Sequence, residues 1–216
     1  MDLSTVRITE IFYSLQGESS AAGLPTVFVR LTGCPLRCHY CDTEYAFYGG
    51  ERKTISSVLA SVASHKSLNV CVTGGEPLAQ KACIPLLTAL CDEGYQVSLE
   101  TSGALTVEPV DPRVIKVLDL KTPGSGEVDK NLYDNMLHLS PQDQVKFVIC
   151  DRQDYEWARL KIDELRLIDR VGNILFSPST GQLNATELAD WILEDHLPVR
   201  FQIQLHKILW SDEPGH

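Results

Sequence analysis

The sequence predicts an α/β fold, an incomplete and open (β/α) barrel with about six parallel strands. Three observations lead there. Short apolar runs alternate with amphipathic helical segments, the pattern of parallel βαβ units with right-handed crossovers. Polar or glycine-rich clusters come directly after those runs, and the carboxyl ends of strands are where barrels and open sheets bind ligands. Strong helical patterns are relatively few, which leaves the barrel open. The 216 residues, 44% of them hydrophobic, suffice for one domain over 1–216 with a full core.

Residues 6–13 alternate as a strand does, 14–19 form a polar turn, and 27–32 are the second strand. Thr54 is placed to cap a helix carrying Ile55, Val58, Leu59 and Val62 on one face. Residues 70–73 form a short buried strand. A helix follows from about residue 80 to Glu93, with Gly94 as its stop. Residues 97–101 and 114–120 are further strands, 121–126 a turn cluster, and 129–139 a weakly patterned helix. The strand 145–149 precedes a helix begun by Asp154 with Tyr155, Ala158, Ile162 and Leu165 on one face. Strand 174–177, a helix opened by Asn184 and Glu187 and running through Glu194, and strand 201–205 complete the series.

The formal charge of −10 argues against a nucleic-acid partner, which needs a basic stripe. No run approaches the ~20 apolar residues of a membrane span, and residues 1–7 lack the pattern of a signal peptide, so the expected location is cytoplasmic with no membrane contact. Seven cysteines in a reducing compartment suggest metal ligation plus buried thiols rather than disulfides. Cys71, Cys83, Cys91 and Cys150 fall in strands or a helix and read as core. His65, His138, His196 and His216 read as surface residues.

The chemistry centres on Gly33-Cys34-Pro35-Leu36-Arg37-Cys38-His39-Tyr40-Cys41-Asp42-Thr43, a CxxxCxxC run directly after a strand. Three thiolates leave one position open, on a four-iron cluster or on a four-coordinate zinc. A structural zinc site closes with four ligands, and no second CxxC or HxxxH follows, so zinc would need a fourth ligand from elsewhere. Gly74-Gly75-Glu76-Pro77 allows close backbone approach, and the Glu76 carboxylate suits an ammonium group; the alternative is a tight turn. Arg30 interrupts an apolar strand and needs an acceptor such as a carboxylate, either a ligand's or a structural partner's. Asp42 and Thr43 offer hard oxygens of the kind Mg²⁺ takes, or a helix cap. Glu100-Thr101-Ser102-Gly103 and Asp119-Leu120-Lys121 also end strands with polar groups, and Gln202, Gln204 and His206 share a face if 201–205 is a strand.

CxxxCxxC with an aromatic residue before its last cysteine, followed by Gly74-Gly75-Glu76, resembles the radical S-adenosylmethionine (SAM) enzymes. There a [4Fe-4S] cluster on three cysteines binds SAM at its fourth iron and cleaves it to a 5′-deoxyadenosyl radical. The ordered set LQGE, FVRLTGC, YCDT, VTGGEP, ETSG, DLK and QLHK resembles, more narrowly, the 7-carboxy-7-deazaguanine synthase family of queuosine and 7-deazapurine biosynthesis. The resemblance implies a carbon–nitrogen lyase that converts 6-carboxy-5,6,7,8-tetrahydropterin into 7-carboxy-7-deazaguanine and ammonia. It implies a homodimer with a modified partial barrel of the radical SAM type, using the cluster, SAM, Mg²⁺ and an electron donor such as flavodoxin or ferredoxin. By position, Cys34, Cys38 and Cys41 would hold the cluster and Thr43 would contact Mg²⁺. Leu15, Gln16, Gly17, Arg30, Thr73 and His206 would face the pterin, with Arg30 on its carboxylate. Tyr40, Asp42, Gly75, Glu76, Lys121 and the loop Ser177-Pro178-Ser179-Thr180 would line SAM. Some family members also offer their C-terminal carboxylate to substrate, a role not carried over because the chain runs on past His206. Two rivals share the cysteine loop. A radical SAM activase would not need Arg30 or Thr43, and an iron–sulfur electron carrier would prefer four cysteines.

Overall fold

The computed structural model describes residues 4–211; the tail from 212 onward, including His216, lies outside the described residues. Nine strands form one sheet in the order β3-β1-β2-β4-β5-β6-β7-β8-β9. Six longer strands run parallel: β2 (Pro25–Leu31), β4 (Asn69–Gly74), β5 (Gln96–Thr101), β6 (Ile115–Asp119), β7 (Gln144–Ile149) and β8 (Asn173–Pro178). The two-residue β9 (Arg200–Phe201) extends this parallel run. Strands β1 (Thr5–Leu15) and β3 (Glu51–Thr54) add an antiparallel flank on the β2 side. The count therefore exceeds six because of that flank and β9. β3 reads Glu-Arg-Lys-Thr, with no apolar signal, as befits a charged edge strand.

Helices α1 (Ile55–Ala63), α2 (Cys83–Asp92), α3 (Arg152–Glu164) and α4 (Ala185–Glu194) cover the outside of the sheet. Val58 and Val62, Leu86 and Leu90, Ala158 and Ile162, and Leu188 and Ile192 pack with Val27, Val29, Leu31, Val70 and Val72 in one core. Thr54 caps α1 as expected, accepting from Ser57 N at 3.1 Å, and Asn184 caps α4. Gly94 ends α2 in a left-handed conformation, φ +86°. Among the described residues no helix is long and apolar enough to cross a membrane.

Several elements differ from the expectation, each for a side-chain reason. α2 starts at Cys83, not near residue 80, because Gln80 is extended and its amide binds the backbone of Arg7 and Thr32. The segment 129–139 forms short 3₁₀ turns, Val128–Lys130 and Tyr133–His138, instead of an α-helix. Asn135 there bonds the backbone of Val107, Gly103 and Leu105, competing with helical pairing. Asp151, not Asp154, caps α3; Asp154 is buried and ties Thr122, Gly124 and Cys150 together. The strand 201–205 is cut short at Phe201. Gln204 then precedes α5 (Leu205–Trp210), its amide donating to Asp42 instead of capping the helix, so Gln202, Gln204 and His206 do not share a strand face. Cys71, Cys83 and Cys91 are buried, whereas Cys150 is only half-buried. His138 and His196 are exposed, and His65 is half-buried against the Tyr13 ring, 5.9 Å between centroids.

β1 changes phase halfway. Val6 and Ile8 point into the core, but the register jumps from Ile8↔Leu31 to Glu10↔Arg30, leaving Thr9 as an extra residue. Such a bulge swaps which face successive side chains occupy. Beyond it Ile11 packs on the core, while Glu10 and Phe12 stand on the inner face opposite Arg30 and Phe28.

Candidate active site

A cavity of about 630 Å³ opens inside the partial barrel, lined by residues from the carboxyl ends of the parallel strands and the loops after them. Its floor is made by Leu15, Gln16, Gly17 and Glu18, and the residues that follow tie this segment to the far strands. Ser19 N donates to Gln202 Oε1 at 2.9 Å, Ser20 N to Gln144 Oε1 at 2.8 Å, and Leu205 N to Gly17 O at 3.1 Å. A Cβ at Gly17 would lie 2.5 Å from His206 Nδ1, so only glycine allows this approach.

The cysteine loop forms one wall. Leu36 anchors it in the core, Gly33 turns it with φ +101°, and His39 N bonds Ser125 O at 3.0 Å. Cys34, Cys38 and Cys41 are half-buried free thiols facing the cavity. Burial pushes their ionisation up, for Cys38 to about 11, while the Lys121 ammonium pulls the other way. No fourth cysteine lines the cavity, and no three His, Cys, Asp or Glu side chains among the described residues form a ready-made single-ion site. Three thiols on one loop with an open side have the donor chemistry of a three-ligand cluster.

β4 ends against this loop. A Cβ on Gly75 would sit 2.5 Å from Gly33 O and 2.7 Å from Cys34 Cβ, so the glycine is required for the contact. Glu76, expected to meet an ammonium group, lies elsewhere. Its buried carboxylate accepts from Thr101 Oγ1 at 3.0 Å, Ser102 N at 2.7 Å and Leu78 N at 3.0 Å, and it does not line the cavity. It fastens β4 to β5 and caps the following turn. All the other residues expected at the site line the cavity.

Beside the cysteines, Tyr40 carries a buried hydroxyl with no partner, and burial pushes its ionisation far up. Lys121 Nζ donates to Asp119 Oδ2 at 2.8 Å, while buried Asp119 Oδ1 has no partner. Burial would lower the Lys121 ionisation, but Asp119 and the nearby thiols raise it overall. Asp42 accepts from Thr43 Oγ1 at 2.8 Å and Gln204 Nε2 at 3.0 Å. Burial would raise its ionisation, yet these bonds and Lys207 hold it at about 2. Ser177, Pro178, Ser179 and Thr180 close this side after β8. Orphaned buried oxygens and a steric cradle for backbone approach suit a polar ligand such as SAM.

Arg30, Thr73, Gln16 and His206 also line the cavity, together with acidic groups that the sequence left unassigned. Glu100 accepts from Gln16 Nε2 at 3.2 Å and Thr73 Oγ1 at 3.3 Å. Glu18 pairs with Lys146, and its Oε1 is buried without a partner. Glu18 was visible within LQGE and Glu100 within ETSG, but Lys146 sits in an ordinary-looking strand. Burial lowers the His206 ionisation, favouring its neutral ring. Burial and the Glu18 charge push the Glu100 ionisation up. The folded state thus loses stability as pH climbs from the ordinary Glu range, about 4.3, toward that raised value. Glu100→Gln is expected to raise the urea midpoint clearly at pH 8 and little at pH 5; equal shifts at both would show that the carboxylate carries no such cost.

Residues 28–120 match the family model described as the Radical SAM superfamily. The chain is 44% identical to the 7-carboxy-7-deazaguanine synthase of Chlorobaculum tepidum, with 96% of each chain covered. It is 41% identical to that of Koribacter versatilis, covering 96% of this chain and 98% of the relative. Among solved structures it resembles QueE from Escherichia coli, with a TM-score of 0.74 at 24% identity over 94% of this chain and 95% of the other, a likeness of fold. With its cysteine loop, glycine cradle and near full-length likeness to these relatives, the chain belongs to the 7-carboxy-7-deazaguanine synthase family of radical SAM proteins.

Proposed function

We propose that this chain is a radical SAM enzyme of queuosine (7-deazapurine) biosynthesis. It converts 6-carboxy-5,6,7,8-tetrahydropterin to 7-carboxy-7-deazaguanine with release of ammonia, as a carbon–nitrogen lyase. The observation that carries this reading is a single cavity with an open-sided three-thiol loop on one wall and Arg30 on another.

In this reading Cys34, Cys38 and Cys41 hold the cluster. Tyr40, Asp42, Gly75, Lys121 and residues 177–180 hold SAM, with the unpaired Tyr40 and Asp119 oxygens supporting a polar ligand there. The bound cluster and SAM supply the one-electron chemistry that removes hydrogen from the pterin. Arg30 takes the pterin carboxylate; its Nε is bonded to Glu10, and among the described residues its Nη groups make no hydrogen bond. Leu15, Gln16, Gly17, Thr73 and His206 line the ring site, and the free Glu18 oxygen is an acceptor for ring N–H groups. Lys146 and Lys121 offset the acidic groups of the cavity. The Thr43 hydroxyl would hold Mg²⁺, an ion that would supply Lewis-acid and orienting chemistry for the substrate. A cytoplasmic homodimer reduced by flavodoxin or ferredoxin completes the reading.

The deciding experiment is anaerobic cluster reconstitution, then incubation with carboxypterin, SAM, Mg²⁺ and a low-potential reductant. Formation of the deazapurine and ammonia is expected. SAM cleavage without either product would favour an activase. For the metal, Thr43→Ala is expected to require several-fold more Mg²⁺ for half-maximal product formation, with cluster absorbance and SAM binding unchanged. An unaltered Mg²⁺ titration would leave Thr43 only its hydrogen bond to Asp42.

A further inference from the structure

We infer that Glu10, held by Tyr45, is a positioning residue that fixes the Arg30 guanidinium with one edge open to a substrate carboxylate. This rests on the reading of Arg30 given above. The bulge at Thr9 brings Glu10 directly opposite Arg30 on the cavity face. Glu10 Oε1 accepts from Arg30 Nε at 2.7 Å and from Tyr45 Oη at 2.7 Å. Two donors on that one oxygen fix the carboxylate end-on to Nε. A side-on, bidentate pair would have consumed an Nη as well.

Two aromatic rings also lie beside the guanidinium. Its carbon lies 5.8 Å from the Phe12 ring centroid and 5.7 Å from that of Tyr45. The pair is partly buried, with side-chain exposures of 16% for Arg30 and 24% for Glu10, so it flanks the cavity instead of the core. A long arginine side chain loses conformational freedom when it captures a ligand, and an arginine already fixed loses less. Glu10 therefore favours the carboxylate through geometry, although its own charge opposes an anion. With Arg30 16% and Glu10 24% exposed, the charge effect is only partly screened, and binding of the carboxylated probe to the Glu10 variants reads which effect is larger.

The test is equilibrium binding to the reconstituted enzyme with SAM present and reductant omitted, using two probes. One is 6-carboxytetrahydropterin, the other tetrahydropterin without the carboxylate. Glu10→Ala is expected to weaken the carboxylated probe about tenfold, or about 1.4 kcal/mol, while the plain pterin changes less than about twofold. Glu10→Gln keeps an acceptor for both donors and is expected to restore most of the loss. Tyr45→Phe, which keeps the ring, should weaken the carboxylated probe about two- to threefold, and it serves if Glu10→Ala fails to fold. Equal weakening of both probes would make Glu10 merely structural, and tighter carboxypterin binding would mean that charge outweighs geometry; either result overturns the proposal. Arg30→Lys separates the two levels. If it loses carboxylate selectivity while the Glu10 variants do not, the Arg30 reading stands and the Glu10 inference falls. If Arg30→Lys keeps selectivity, the Arg30 reading fails and the inference with it.

Discussion

Cys38→Ala is expected to remove the cluster and abolish product formation, while Cys83→Ala keeps both. Both positions are cysteines, but their surroundings differ. Cys38 is half-buried on a loop, facing a cavity beside Lys121, whereas Cys83 is fully buried at the start of α2 with only apolar packing to lose. A cluster with three protein ligands has none to spare, so one missing thiolate leaves two irons without a protein bond. Truncating Cys83 removes one sulfur from the core and should cost about 1 kcal/mol of stability. Iron content and visible absorbance of the reconstituted variants check this. Cluster loss in Cys83→Ala equal to that in Cys38→Ala would overturn the ligand assignment.

Lys146→Met is expected to destabilise the fold by about 3–5 kcal/mol and to abolish activity, because one partner of a buried pair is removed and the other charge remains. Lys146 and Glu18 are 12% and 11% exposed, and Asp119 and Glu100 also act on the ammonium. Burial alone would lower the Lys146 ionisation; the three carboxylates raise it overall. A raised ammonium contributes its full stability below about pH 10.4 and loses it only as pH rises further, so neutral assays see the intact pair. Adding Glu18→Gln to Lys146→Met should recover much of the stability, but not the activity. Urea denaturation of single and double variants measures the coupling, and no recovery in the double variant would contradict the pairing.

The sheet was legible because its parallel strands are apolar runs closed by polar clusters, and those clusters became the cavity walls. The thiol loop and the Gly74-Gly75 cradle could be found because each depends on local sequence chemistry. Glu76 could not be placed that way. Its carboxylate is taken by Thr101 at the end of β5 and Ser102 just after it, a contact between distant segments. The same holds for Lys146, whose partner is 128 residues away, and for Glu10, whose direction depends on a bulge that simple alternation does not reveal. His206 reached the cavity by a route other than the strand first expected. A two-residue β9 gives way to α5, and the ring arrives against Gly17 from a helix.

The floor loop has a kinetic consequence. Its bonds span 124 residues from Ser20 to Gln144 and 183 from Ser19 to Gln202. Contacts between the first and last strands close the longest loops in the chain, the kind that form late and slow folding. During synthesis, which runs from the N-terminus, residues 16–20 leave the ribosome long before Gln202 exists to receive them. The floor is therefore tied down in two stages, first to Gln144 and Lys146 on β7 and, only when nearly the whole chain has emerged, to Gln202 and Leu205. A nascent or C-terminally clipped chain can have its cysteine loop and most of its sheet yet lack a closed place to hold substrate. Competence for turnover waits for the last of these ties, near the end of the chain.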